Sequence, residues 1–208
     1  MSDIKKFTIF GERCTGTNYL ENLILKNFEV ELTWKYGFKH FFGFLNDKFE
    51  DSDDTLFICI TRNIHDWMNS LYLNPHHLNN NVKSSVNNFC NNEIYSIPSS
   101  WICKGFYGHK WSVLGEDRNI YTKERYKNIF EMRHIKHKFL IDDLPKRVRN
   151  YIFIKYEDLT NNFDHTMYKI KNKGLKVTDK ITFPRNVKIY KNEEYEYIPK
   201  KYIKISND

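Results

Sequence analysis

The amino-acid sequence predicts an α/β protein, a central parallel sheet with helices on both sides in three layers. Three observations carry that expectation. The segments TLFICI (55–60) and YIFIKY (151–156) are short, continuous apolar runs, as strands buried on both faces of a parallel sheet require. A further β-like run, Phe7 to Phe10, opens the chain. Helix-like stretches separate these runs, and strands alternating with helices imply parallel pairing. At 208 residues the chain is long enough for a sizeable core, and residues 1–208 are expected to form a single domain.

The elements are taken in chain order. Phe7 to Phe10 runs into GERCTGTN and then the helix-like NYLENLILKNF (18–28). VELTWKY (30–36) alternates as a second strand, GFKHFFGF (37–44) reads as a glycine-bounded aromatic loop, and NDKFEDSDD (46–54) as an acidic turn. After TLFICI, a helix starting near Ile64 carries Trp67, Met68, Leu71 and Tyr72. Residues 74–121 are first asparagine-rich, then aromatic and glycine-broken, which suits an inserted lid or pocket wall. TKERYKNIFEMRHIKHKFLIDDL (122–144) predicts a long helix. YIFIKY then leads into a last helix over 157–174, with Gly174 as its C-terminal cap.

Composition narrows the function classes. The net charge of +7 tolerates anionic ligands. The chain has no alanine or glutamine and is crowded with Asn, Lys, Ile and Tyr, a bias typical of AT-rich coding, so its lysines argue only weakly for nucleic acid. The four cysteines, Cys14, Cys59, Cys90 and Cys103, show no paired spacing and suit a reducing compartment. Neither C-x-x-C nor H-E-x-x-H occurs, so zinc is not expected. His134 with His137, and His76 with His77, read as surface histidines. No signal-peptide core or apolar run of membrane-spanning length is found, and a cytoplasmic protein is expected.

Two stretches carry chemistry. GERCTGTN places Gly11 and Gly16 in a strand, G-x-x-x-x-G, helix frame, the outline of a phosphate-binding loop. Backbone N–H groups and the helix dipole would hold an anion there, with Arg13 as fixed cation and the Thr15 and Thr17 hydroxyls as donors. The usual loop lysine is replaced by Thr17 and the magnesium-binding hydroxyl by Asn18. Metal-dependent nucleoside triphosphate chemistry needs both. A phosphate-bearing donor used without a metal therefore fits better than ATP. In TRNIHDWMNS, Arg62 lies at the carboxyl end of a strand and Ser70 about two turns into the next helix, a pair suited to a second phosphate. Asp66 is read as first-turn helix stabilisation.

Together with Lys155-Tyr156-Glu157-Asp158-Leu159, these stretches resemble the sulfotransferase family over roughly residues 5 to 175. The loop matches that family's 5′-phosphosulfate loop, and Arg62-Asn63-Ile64-His65-Asp66-Trp67-Met68-Asn69-Ser70 matches its R-N-x-x-D-x-x-x-S element for the 3′-phosphate. The resemblance implies a three-layer P-loop NTPase-like fold and sulfuryl transfer from 3′-phosphoadenylyl sulfate (PAPS), releasing adenosine 3′,5′-bisphosphate. The acceptor would be a hydroxyl or amine on a small molecule or carbohydrate, and no metal is implied. Arg13, Cys14, Thr15, Gly16, Thr17, Asn18, Arg62 and Ser70 would bind the donor. His40 would be the base, with Glu12 as alternative, and Lys39 or Arg13 would support the leaving group. Trp101 to Trp111 would shape the acceptor pocket. The loop is one residue longer than the family's usual form. The family's C-terminal glycine-rich closing loop has no counterpart, leaving Lys173, Lys176, Arg185 or Lys188 as substitutes. Arg133 is either a pocket cation or a surface residue, and Glu157 and Asp158 are read as helix-capping. Two other readings stay open: a small-molecule or nucleoside kinase with a degenerate loop, and a non-catalytic polyanion-binding protein.

Overall fold

The computed structural model describes residues 3–44, 46–97, 117–178, 187–190 and 193–196, with residues 46–48 and the last two strands described by backbone alone. Its centre is a four-stranded sheet, with β1 (Lys6–Phe10) between β2 (Glu31–Leu32) and β5 (Thr55–Thr61), and β6 (Tyr151–Lys155) outside β5. All neighbours pair in parallel, with Phe7 opposite Leu56 and Ile58 opposite Ile152. The apolar runs form strands because alternate residues go to different cores. Phe7, Ile9, Leu56, Ile58, Ile60, Ile152 and Ile154 face one cluster, shared with α1 (Thr17–Asn27) and with α5 (Tyr156–Asn161) and α6 (Phe163–Lys171). Phe10, Phe57 and Cys59 face the other, where Tyr151 and Phe153 join Phe42, Phe139, Leu140 and Leu144.

A third cluster lies beside the sheet. Here α2 (Ile64–Leu73), α3 (Val86–Asn91) and α4 (Ile129–Lys138) pack around Trp67, Leu71, Phe89 and Met132. Two antiparallel hairpins complete the described elements: β3 (Gly37–Phe38) with β4 (Phe41–Phe42), and β7 (Val187–Tyr190) with β8 (Glu193–Glu196).

Several expectations need correction. The second strand is only Glu31–Leu32, and the aromatic loop over 37–44 contains the β3–β4 hairpin. The long helix begins at Ile129, where Asn128 caps it, because Tyr126 is drawn into a bridge with Ile94. It passes into a π turn over Phe139–Asp143. The last helix is broken at Asn162 into α5 and α6, and Gly174, at φ 100°, follows them as a turn. Within 74–121, residues 98–116, and with them Trp101 to Trp111, lie outside the described residues. Among the described residues, no helix is long and apolar enough to cross a membrane.

Candidate active site

The glycine loop leaves β1 at the carboxyl end of the sheet, the edge at which open parallel α/β sheets take their ligands. Both glycines are required there. A Cβ on Gly11 would lie 2.7 Å from the Ile60 carbonyl oxygen, and Gly16 combines φ 92° with a Cβ position 2.5 Å from the Tyr156 ring. Thr15 stiffens the turn by donating from Oγ1 to the Glu12 carbonyl at 2.7 Å. Gly16 is the N-cap of α1, with no side-chain cap and no acid in the first turn, so the first-turn N–H groups of α1 carry no side-chain anion. Thr17 is buried at the first position of that helix and Asn18 is exposed beside it.

One stripe of α2 grips the loop. Trp67 donates from Nε1 to the Arg13 carbonyl at 2.9 Å, the Ser70 side chain lies beside the Cys14 thiol and favours its ionised form, and the carbonyl of Asn74, which ends the helix, accepts from Cys14 Sγ at 3.9 Å. These positions recur at helical spacing, so one face of the helix meets consecutive loop residues. Arg62 donates from Nη1 to the Cys14 carbonyl at 3.2 Å, with its guanidinium 4.7 Å from the Tyr156 ring centroid. Burial pushes the Cys14 thiol above its ordinary pKa. Glu157, expected to cap its own helix, instead accepts from the Asn63 N–H at 2.7 Å and so caps α2.

The β3–β4 hairpin turn docks on the opposite side of the loop. The Gly11 N–H donates to the Lys39 carbonyl at 3.0 Å, and His40 Nδ1 lies 2.8 Å from the Gly11 carbonyl. Because a carbonyl only accepts, Nδ1 carries the proton and Nε2 keeps its lone pair. Burial, with Lys39, Arg13 and Lys136 nearby, outweighs the Gly11 hydrogen bond and lowers the His40 pKa to about 3. The imidazole is therefore neutral at physiological pH, where the sequence suggested a group titrating near it. Lys39 Nζ donates to Asn18 Oδ1 at 2.5 Å and Glu21 Oε2 at 2.9 Å, which sets its charge beside the start of α1.

Arg13 is committed elsewhere. Its guanidinium is 6% exposed and pairs with Asp117 at 2.7 Å while donating to Ser96 Oγ at 2.6 Å. Lys136, also buried, donates to the other Asp117 oxygen at 3.0 Å and to the His40 carbonyl at 3.1 Å. Burial alone would raise the Asp117 pKa, but Arg13 and Lys136 hold it well below the usual carboxylate range. Burial pushes the Lys136 pKa down. This cluster ties the glycine loop to the hairpin.

A second buried network holds Glu12. Arg133 donates to Glu12 Oε2 at 2.8 Å and to the Arg62 carbonyl at 2.6 Å, with its guanidinium 4.4 Å from the Trp67 ring centroid. His137 Nε2 lies 3.1 Å from the same carboxylate oxygen and 2.8 Å from Thr61 Oγ1. His137 is thus a half-buried partner of the loop, while the surface reading holds for His134 beside it and for His76, both exposed; His77 is half-buried. Glu12 is engaged by two partners, and Arg133 is neither a surface residue nor directed at open solvent.

The expected donor residues therefore meet at one edge, with Arg62 and Ser70 on Cys14, Lys39 on Asn18, and His40 on Gly11. Among the candidates for closing the site, Lys176 belongs to the opposite end of α1, where it pairs with Glu29 at 3.0 Å. Lys173 is exposed, and Arg185 and the Lys188 side chain lie outside the described residues. Sequence reasoning missed Trp67, Asp117, Lys136, His137 and Tyr156 as site-forming residues. Lys136 and His137 look like part of an ordinary charged helix surface, and Asp117 like a loop acid. Only their pairing with residues of the glycine loop and the hairpin separates them from it.

Fold and site define a parallel α/β protein with a glycine loop braced at the carboxyl edge of its sheet. No family model, curated protein or solved structure matches the chain.

Proposed function

We propose that the protein is a sulfotransferase with a P-loop NTPase-like fold, moving a sulfuryl group from PAPS to a hydroxyl or amine acceptor. One observation carries this reading. Sequence elements separated by tens of residues, Lys39-His40 and Arg62 with Ser70, all contact the glycine loop, at Gly11, Cys14 and Asn18. A glycine loop that runs into a helix with no acid in its first turn suits the 5′-phosphosulfate, and an arginine and a serine that both reach Cys14 suit the 3′-phosphate.

Each role rests on a contact. The acceptor oxygen attacks sulfur in line, forming the new O–S bond as the bond from sulfur to the bridging oxygen breaks. The acceptor proton passes to His40 Nε2, the nitrogen left with a lone pair by the Gly11 hydrogen bond. A bound anionic donor favours the protonated imidazole and so strengthens this half-buried base. Lys39, beside the α1 N-terminus, stabilises charge on the departing bisphosphate. Arg13 supports the loop from beneath through Asp117. Lys39 and Arg62 are the cations this reading gives to the chemistry, and it requires no metal.

The test is thermal stabilisation by adenosine 3′,5′-bisphosphate compared with ATP and magnesium, in wild type and Arg62→Ala. The expected result is stabilisation of wild type by the bisphosphate, with the effect greatly reduced in the variant. Indifference of wild type to the bisphosphate, or a larger response to ATP with magnesium, would rule the reading out.

A further inference from the structure

The Lys-Tyr-Glu-Asp-Leu stretch has no part in the transfer step, yet it touches both proposed phosphate subsites. Tyr156 is 8% exposed at the junction of β6 and α5. Its ring edge abuts Gly16, so closely that a Cβ there would sit 2.5 Å away. The same ring carries the Arg62 guanidinium 4.7 Å from its centroid. The next residue, Glu157, accepts from the N–H of Asn63, the residue after Arg62. Two consecutive residues of one strand–helix junction therefore hold two consecutive residues of another.

We infer that Tyr156 is a positioning residue that sets the selectivity of the site for a 3′-phosphorylated nucleotide, by fixing the Arg62 guanidinium at a set distance from Gly16. This rests on the assignment of Arg62 to the 3′-phosphate. A long, flexible arginine side chain loses rotamer freedom when it binds an anion. An aromatic face that already holds the guanidinium reduces that loss, and its cation–π attraction is stronger away from water. The ring takes the flat face of the guanidinium, while its Nη1 donates to the Cys14 carbonyl at 3.2 Å. Packing of the ring against Gly16 keeps the loop and the arginine in register, so the spacing between the two phosphate subsites is set by one side chain.

The experiment compares dissociation constants for adenosine 3′,5′-bisphosphate and adenosine 5′-monophosphate in wild type, Tyr156→Phe and Tyr156→Leu. Wild type and Tyr156→Phe should share the same preference for the bisphosphate. Tyr156→Leu should lose about fivefold to tenfold of that preference, with monophosphate affinity little changed. A purely structural role would weaken both nucleotides equally, and that outcome, or an unchanged ratio, would overturn the inference. A wild type that fails to distinguish the two nucleotides would instead remove the Arg62 assignment, and the role of Tyr156 with it. If Tyr156→Leu melts below the assay temperature, Tyr156→Met fills the same space with a flexible apolar side chain and provides the same comparison.

Discussion

His40 donates from Nδ1 to the Gly11 carbonyl at 2.8 Å, but burial outweighs this contact and removes it from the group of ordinary histidines. Its folded pKa is about 3, below the ordinary value of 6.5, with burial as the main cause. Between those values the unfolded chain binds a proton that the folded chain refuses. The contribution of His40 to stability is complete above its unfolded pKa and is lost as pH falls toward the folded one. Its slope in that window is about 1.4 kcal/mol per pH unit for one proton. His40→Asn keeps an amide donor near Gly11 but cannot titrate, so between about pH 6 and 4 its urea-unfolding free energy should fall less steeply than wild type, by up to that amount. Parallel slopes would mean that His40 is open to water and titrates normally. A histidine beside three cations was visible in the sequence only as Lys39-His40. The buried Lys136 and Arg13 come from distant segments, so its neutrality could not be read there.

At the scale of elements, legibility followed the source of the hydrogen bonds. Strands β5 and β6 were read from their apolar runs: β5 is buried on both faces, and β6 buries Ile152 and Ile154 on one face and half-buries Tyr151 and Phe153 on the other, which leaves a local composition. The start of α2 was read near Ile64 because Asn63 caps it within the sequence, accepting from the His65 N–H. The β3–β4 hairpin was not read. Its two-residue turn, Lys39-His40, lacks the glycine or asparagine that marks such turns. It is held from outside, with the Lys39 carbonyl accepting from Gly11 and the His40 carbonyl from Lys136. The helix α4 lies between these cases. Asn128 accepts from the N–H groups of Phe130 and Glu131, while Glu131 accepts from the Lys127 N–H at 2.6 Å, a reciprocal cap that fixes the start. Asn128→Ala should cost about 1 kcal/mol of unfolding free energy, and Asn128→Ser only a few tenths. Equal stability of all three proteins in urea would show that packing of Ile129 and Met132 alone sets the helix start.

For the whole molecule, the question is where its net charge of +7 acts. The cations at the carboxyl edge are largely neutralised from within: Arg13 and Lys136 by Asp117, Arg133 by Glu12, and Lys39 by Glu21. Arg13, Arg62 and Lys136 are also buried, at 6%, 8% and 3% exposure. A polyanion laid across the surface would meet other, solvated lysines and release counterions from them, giving salt-sensitive and sequence-blind binding. A compact nucleotide has a different route, because the loop and Arg62 present a few fixed donors at one point. The two kinds of binding should therefore separate. A single-stranded RNA oligonucleotide should bind weakly at low salt, lose most of that binding by ~150 mM, and behave alike in wild type and in Arg62→Ala with Ser70→Ala. Bisphosphate stabilisation should respond in the opposite way, failing in the double variant and depending less on salt. RNA binding that persists at ~150 mM and disappears in the double variant would make the carboxyl edge a nucleic-acid site. The surplus of lysines would then be functional, not a coding bias.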